Sequence, residues 1–171
     1  MKRRLIFISL LAICLFACNS NNKKSIQGEE VYEVQGLLSE VDQLLNKEVL
    51  ISGHVTHVCK HSGKKCFIEN DKGDTSIRIE AKGDITAFDK ELIGSTIKVK
   101  GKLREHRLSK EYVDNLEKSA QEKLENEEAT EEECEAELSN VNDMRKWMKE
   151  HDKNHYSIYY VDGLSYEKID E

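Results

Sequence analysis

The spacing of apolar residues changes rhythm several times along the chain, and each rhythm predicts a different element. Positions 5–16 form an almost unbroken apolar run, interrupted only by Ser9 and the small thiol of Cys14. In 27–45, Val34, Leu37, Leu38, Val41, Leu44 and Leu45 recur with the helical period, predicting an amphipathic helix that leads into a domain. The stretch 47–104 switches to period two. There Val49, Ile51, Gly53, Val55, His57 and Cys59 fall on one side of a first strand, and 66–69, 76–80 and 96–104 read as three more. A basic loop separates the first two strands, Asn70-Asp71-Lys72-Gly73-Asp74 is turn chemistry, and 85–93 reads as a short helical connection or turn. Leu108, Tyr112, Leu116, Ala120 and Leu124 then recur every four residues, giving a helix whose apolar stripe would cover the strands. Ser139 is placed to cap a further helix carrying Val141, Met144, Trp147 and Met148. Last, 156–161 and 164–169 read as a hairpin turning at Asp162-Gly163, one strand of which would complete a barrel.

Three strands, a short connection and a fourth strand in under about sixty residues is the order of an OB-type barrel. The run Val49-Leu50-Ile51-Ser52-Gly53-His54-Val55, followed by Leu92-Ile93-Gly94-Ser95-Thr96-Ile97-Lys98-Val99-Lys100-Gly101-Lys102-Leu103, resembles the first and fourth strands of anticodon-binding-like OB modules. The neighbourhood of Cys59 and Cys66 resembles small secreted bacterial OB-like domains with two cysteines at the first hairpin. The resemblance implies an α+β class, with a small OB-type five-stranded β-barrel and helical N- and C-terminal extensions. It bears on fold more than on function, because OB barrels host many functions.

The N-terminal run has its own logic. Lys2, Arg3 and Arg4 precede it, and it is too short for an ordinary membrane span but suits a secretory signal. Leu15-Phe16-Ala17-Cys18 resembles the lipobox of bacterial lipoproteins, with the small Ala17 directly before the cysteine that would be lipidated. Residues 19–25 are polar throughout and read as a flexible stalk. The expected organisation is a signal peptide at 1–17, lipidated Cys18 and stalk at 18–27, an OB-type barrel with its leading helix at 28–108, and an acidic helical extension with a C-terminal β-hairpin at 109–171. The implied location is an extracytoplasmic membrane surface. In a source with two membranes, Asn19 after the anchor points to the outer membrane, facing the periplasm.

Charge sharpens this division. The chain carries a formal net charge of −7 with no proline, and removal of three basic signal residues would leave −10. Residues 47–104 hold twelve basic and eight acidic side chains, whereas 110–171 hold eight basic and nineteen acidic. The acidic run 122–137 reads as a solvated helix face or a fraying segment.

Within the basic region, His57, Cys59, His61 and Cys66 lie inside ten residues. Thiolates and imidazoles in such a set would bind a transition metal such as zinc, the one cofactor the sequence implies. The alternatives are a Cys59–Cys66 disulfide across the loop, or unlinked thiols. Lys60, Lys64, Lys65, Arg78, Lys98, Lys100 and Arg104 would form an anion-binding face or an ordinary solvated surface. A single-stranded nucleic acid is a weaker fit, because Phe67 and Phe88 are the only aromatic residues in 47–104. No G-x-S-x-G, Walker loop or H-E-x-x-H is present. The chain therefore reads as a non-catalytic binding or interaction module. Its partners would be the membrane through the anchor, and an envelope protein or anionic polymer. Metal handling is the alternative, followed by nucleic-acid binding.

Overall fold

The computed structural model describes residues 30–169, and the signal and Cys18 expectations lie outside them. In chain order the elements are β1 (Val31–Glu33), α1 (Val34–Ser39), α2 (Val41–Leu44), β2 (Glu48–Val58), β3 (Lys65–Glu69) and β4 (Ser76–Ala81). A 3₁₀ turn (Lys90–Leu92) leads into β5 (Thr96–Ser109), α3 (Lys110–Glu125), α4 (Glu131–Glu150) and β6 (His155–Ile169). Five of the strands close a barrel in the order β2-β3-β4-β6-β5 and back to β2. Only β4–β6 is parallel among these barrel pairs. This is the OB arrangement that the sequence pattern predicts.

Alternation builds the interior. Val49, Ile51 and Val55 from β2, Ile68 from β3, Ile77 and Ile79 from β4, Ile97, Val99 and Leu103 from β5, and Val161 from β6 share one apolar core. Burial of each such side chain contributes roughly 1.5–3 kcal/mol. The expected N-terminal helix is broken. Residues 31–33 instead pair in parallel with Leu50–Ser52 of β2, and two short helical segments meet at Glu40. Val34 and Leu37 enter the barrel core from α1, which is why the helical period is still visible in the sequence.

The expected C-terminal hairpin does not form. Residues 155–169 are one strand, paired with β5 along its whole length, and Asp162-Gly163 lies inside it. Gly101 and Gly163 sit opposite each other beside the register shift of this pair. A Cβ on Gly163 would lie 2.7 Å from Ile79 Cγ2, and one on Gly101 would lie 2.6 Å from the Asp162 carbonyl. The glycine marks a close crossing inside the barrel, not a turn.

The last barrel strand therefore follows the helices, so 109–171 is not a separate appendage: α3 and α4 are inserted between β5 and β6. Beyond the barrel these two strands continue as a ribbon, 105–109 against 155–159, with the helices at its end. Ser109 caps α3, and Thr130 with Glu133 forms a reciprocal capping box at the start of α4. The acidic run thus divides at the α3–α4 turn, and Glu131, Glu132 and Glu133 occupy the first turn of α4, where the helix dipole favours them. Helix α4 begins well before Ser139. The apolar stripe does not cover the barrel: Val113, Val141 and Met148 form a second core with Leu108, Trp147 and Tyr156.

Replacing Gly163 with Ala is expected to lower unfolding free energy by about 1–3 kcal/mol through overpacking. Urea denaturation followed by circular dichroism measures this, and an unchanged midpoint would contradict the close-crossing account.

Candidate functional site

A single irregularity in β2 decides which side chains face outward. Val55 pairs with Ile68 and His57 pairs with Phe67, so one extra residue is accommodated between them. The inward position passes from Val55 to Val58, and Thr56 and His57 are exposed. Strict alternation places His57 with the core residues, and the bulge corrects it to the outer surface.

The same shift separates the predicted ligand set. Val58 pairs with Cys66, so Cys66 points into the core and is fully buried. Cys59 directly follows β2 and is half-exposed in the turn, where its sulfur accepts a hydrogen bond from Ser62 Oγ at 3.6 Å. Both thiols, and buried Cys134, are free. The expected disulfide is therefore absent, because adjacent positions on a pleated hairpin point to opposite faces. His61 is exposed in the loop. Among the described residues no three His, Cys, Asp or Glu side chains gather into a metal-holding group.

What the fold does assemble is a row of planar side chains across the outside of the barrel. His57 on β2 is registered with Phe67 on β3, Phe67 with Arg78 on β4, Arg78 with Tyr160 on β6, and Tyr160 with Arg104 on β5. Neighbouring strands lie about 4.8 Å apart, which sets the spacing of the row. The His57 and Phe67 rings meet edge-on at 5.8 Å, and the Arg78 guanidinium lies 5.0 Å from the centre of the Tyr160 ring.

The predicted cationic residues are spread over several strands, and three of them pair with carboxylates. Arg78 pairs with Glu80 at 3.1 Å, Lys98 with Glu167 at 3.0 Å, and Arg104 with Asp162 at 2.8 Å. Lys64 donates to the Thr86 carbonyl. Lys98 and Lys100 stand on β5 opposite Ser52 and Leu50, Lys65 and Arg78 stand on β3 and β4, and Lys60 is exposed in the loop. The barrel's curvature spreads these positions around its circumference.

Beside Tyr160 the row opens into a polar cleft of about 520 Å³, lined by Asn46, Lys82, Arg104, Arg107 and Asp162 among others. Arg104 is clamped by Asp162 and by Asn46 Oδ1 at 3.0 Å. Asn46 adopts a left-handed backbone (φ 64°), which asparagine tolerates, and holds the lip of the cleft through an N–H bond to the Leu103 carbonyl. At the base of the ribbon, Glu105 accepts from Ser157 at 2.6 Å and Arg107 at 2.8 Å, with His155 Nε2 at 3.5 Å. Burial pushes the Glu105 carboxyl up, but these hydrogen bonds and the Arg107 charge outweigh it and hold the group below its ordinary range.

Sequence reasoning missed Tyr160, Asp162, Asn46 and Glu105. The alternation of 156–161 marks Tyr160 as a strand residue, but only the pairing with β4 and β5 places it on the row. Phe88, expected as a stacking aromatic, is buried against Tyr166.

No family model and no curated protein matches the chain. Two similar solved structures are a "putative aspartyl-tRNA synthetase" from Leishmania major Friedlin and a DUF3299 family protein from Pseudomonas aeruginosa PAO1. The first has a TM-score of 0.34 at 24% identity and covers 50% of this chain and 18% of that one. The second has a TM-score of 0.38 at 6% identity, with coverage of 75% and 65%. The chain thus spans less than two thirds of either structure's length. The OB assignment rests on the strand order and register described above.

Two outcomes follow from this geometry. Ser62 and the backbone of the loop pull the Cys59 thiol below its ordinary value, whereas burial pushes the Cys66 thiol up to about 12. Alkylation of the folded protein read by mass spectrometry is therefore expected at Cys59, and at Cys66 and Cys134 only in denaturant. For Glu105, the folded state binds fewer protons than the unfolded chain just below the ordinary value of 4.5. Its stabilising contribution is complete above that value and is lost as pH falls through the lower folded-state value. The melting temperature should therefore fall more for the wild type than for Glu105→Gln between about pH 6 and 3.

Proposed function

We propose that this chain is a non-catalytic binding protein, anchored through lipid on Cys18 at an extracytoplasmic membrane surface, that holds its ligand on the outer face of the barrel. The His57–Phe67–Arg78–Tyr160 register carries the reading. Four strands contribute one planar side chain each, and all four remain partly or fully exposed. Surfaces of this kind recognise flat or ring-shaped groups through contact area and cation–π attraction, with no bond made or broken. The ribbon and its helices stand at one end of the row, where OB barrels bound their ligand cleft.

The lipid anchor is supported by the order of the cationic segment, apolar run, lipobox-like motif and polar stalk. Among the described residues no helix is long and apolar enough to cross a membrane. A second reading, binding of a single-stranded nucleic acid, draws on the same row, because bases stack on aromatic and guanidinium planes.

Both halves are testable in one bacterial expression system. The full chain is expected to incorporate labelled palmitate and to sediment with membranes, and Cys18→Ser is expected to lose both. On arrays of glycans, peptides and oligonucleotides, Phe67→Ala and Tyr160→Ala are expected to lose the wild type's retained ligand by about tenfold or more, with melting temperatures little changed. Retention that ignores both substitutions would remove the row from the binding face.

A further inference from the structure

We infer that the lysine-rich end of the barrel is a docking surface for the acidic α3–α4 tip of a second copy of this chain. The inference goes beyond the proposed binding role and does not depend on it.

The acidic surface is the end of α3, the turn and the start of α4, where residues 122–137 carry nine carboxylates and one lysine. Lys123 pairs with Glu137 at 2.8 Å, and Glu133 is engaged in the capping box. Backbone bonds fix the turn: the Glu128 and Ala129 N–H groups donate to the Lys123 carbonyl at 2.8 and 3.2 Å. The remaining carboxylates are thus held close together on an ordered surface, and their mutual repulsion favours a cationic partner. Nearer the ribbon the helices balance their own charge. Arg145 bridges Asp114 and Glu117 at 2.6 and 2.7 Å, and Lys110 lies 3.6 Å from Asp114. Among the described residues, every ion pair of α3 and α4 lies within the helical pair.

The basic surface lies where β2 passes into β3 and where β4 ends. Residues 59–65 and 78–82 carry five basic side chains and one carboxylate, and that carboxylate, Glu80, is held by Arg78. Lys60, Lys64, Lys65 and Lys82 have no ion pair among the described residues. Lys64 keeps its charge while donating to the Thr86 carbonyl. The adjoining loop sets Asp84, Asp89 and Glu91 against Lys90, so the positive excess belongs to the Lys60–Lys82 side. There Lys64, Lys65 and Lys82 surround a hollow of about 240 Å³ whose wall includes Ala81. Leu124, 36% exposed among the tip carboxylates, is an apolar side chain for that hollow.

Topology keeps the two surfaces apart in one copy. Strand β2 runs from Glu48 to Val58 and enters the basic loop at its far end. Strand β5 runs the other way, pairing Thr96 with His54 and Lys102 with Glu48, and then continues into the ribbon that carries the helices. The basic loop and the ribbon therefore leave the barrel at opposite ends. A second copy brings the complementary charges together without rearranging either fold. Because the two surfaces differ, the contact is heterologous, and each copy offers its tip to one neighbour and its lysines to another. Complementary potentials of this kind set orientation and partner choice.

Sedimentation equilibrium of the full chain in a density-matched non-ionic detergent tests this. The salt is raised from about 20 mM to about 0.5 M, which shortens the screening length from roughly 20 Å to roughly 4 Å. The wild type is expected to associate at low salt, with its apparent Kd rising about tenfold or more at high salt. Two charge reversals, Lys60→Glu with Lys65→Glu and Lys82→Glu, and Glu122→Lys with Glu125→Lys and Glu128→Lys, are each expected to be monomeric at low salt. Glu122 and Glu125 lie in the last turn of α3, where the helix dipole favours lysine, so the tip variant keeps its fold. Mixing the two variants is expected to restore association, since each reversed surface then meets its opposite. A wild type that is monomeric at low salt overturns the proposal, as does association that ignores salt or either reversal. A mixture that stays monomeric overturns it too. A monomeric wild type that binds phosphatidylglycerol vesicles through the same three lysines also overturns it, and assigns the lysine-rich end to an anionic membrane instead.

Discussion

The close passage of β6 across β5 at Gly101 and Gly163 is the constraint on which the rest of the structure depends. Two backbones approach there with no room for a side chain, while Val161 and Ile79 fill the space alongside. The approach lets β6 lie antiparallel to β5 and parallel to β4 at once, so the barrel closes without an exposed edge. Closure fixes which β6 side chains face outward, and Tyr160 and Asp162 are among them. The same strands run on past the barrel as a ribbon, which makes the helical pair an insertion between β5 and β6.

The bulge in β2 is the second decisive feature, and it works with closure. An extra residue at Thr56 turns His57 outward and Val58 inward. The barrel gains a buried valine opposite Cys66, and the outer surface gains one more planar side chain at the end of the row. A metal-ligand set read as four neighbours in sequence becomes a buried thiol, a half-exposed thiol and two surface imidazoles. Their different reactivity follows from placement, because burial raises the cost of a thiolate whereas the turn around Ser62 lowers it.

Charge tells a similar story. The strands of the barrel are rich in lysine and arginine, and a linear reading makes them a single positive face. Wrapped around a barrel, the residues point in several directions and meet acidic partners from β6, as in the Arg104–Asp162 and Lys98–Glu167 pairs. The surface that results is polar, planar in its groups and locally balanced.

Alternation in 47–104 was enough to determine four barrel strands, their order and the Asn70–Asp74 turn, because side-chain period and turn chemistry are local properties. Helical spacing likewise determined α3, whose cap at Ser109 sits one turn from its first apolar residues. The sequence also carries the signal-like run and the lipobox-like motif, which are written in consecutive residues. Tertiary structure alone decided that Asp162-Gly163 is a crossing and not a turn, since Asp-Gly is compatible with both until β4 and β5 pack against it. It alone turned His57 outward, because a bulge depends on the partner strand's register. The row and the cleft are likewise invisible in one dimension: Asn46, Phe67, Arg78, Arg104 and Tyr160 come from five separate segments, and only barrel closure brings them side by side.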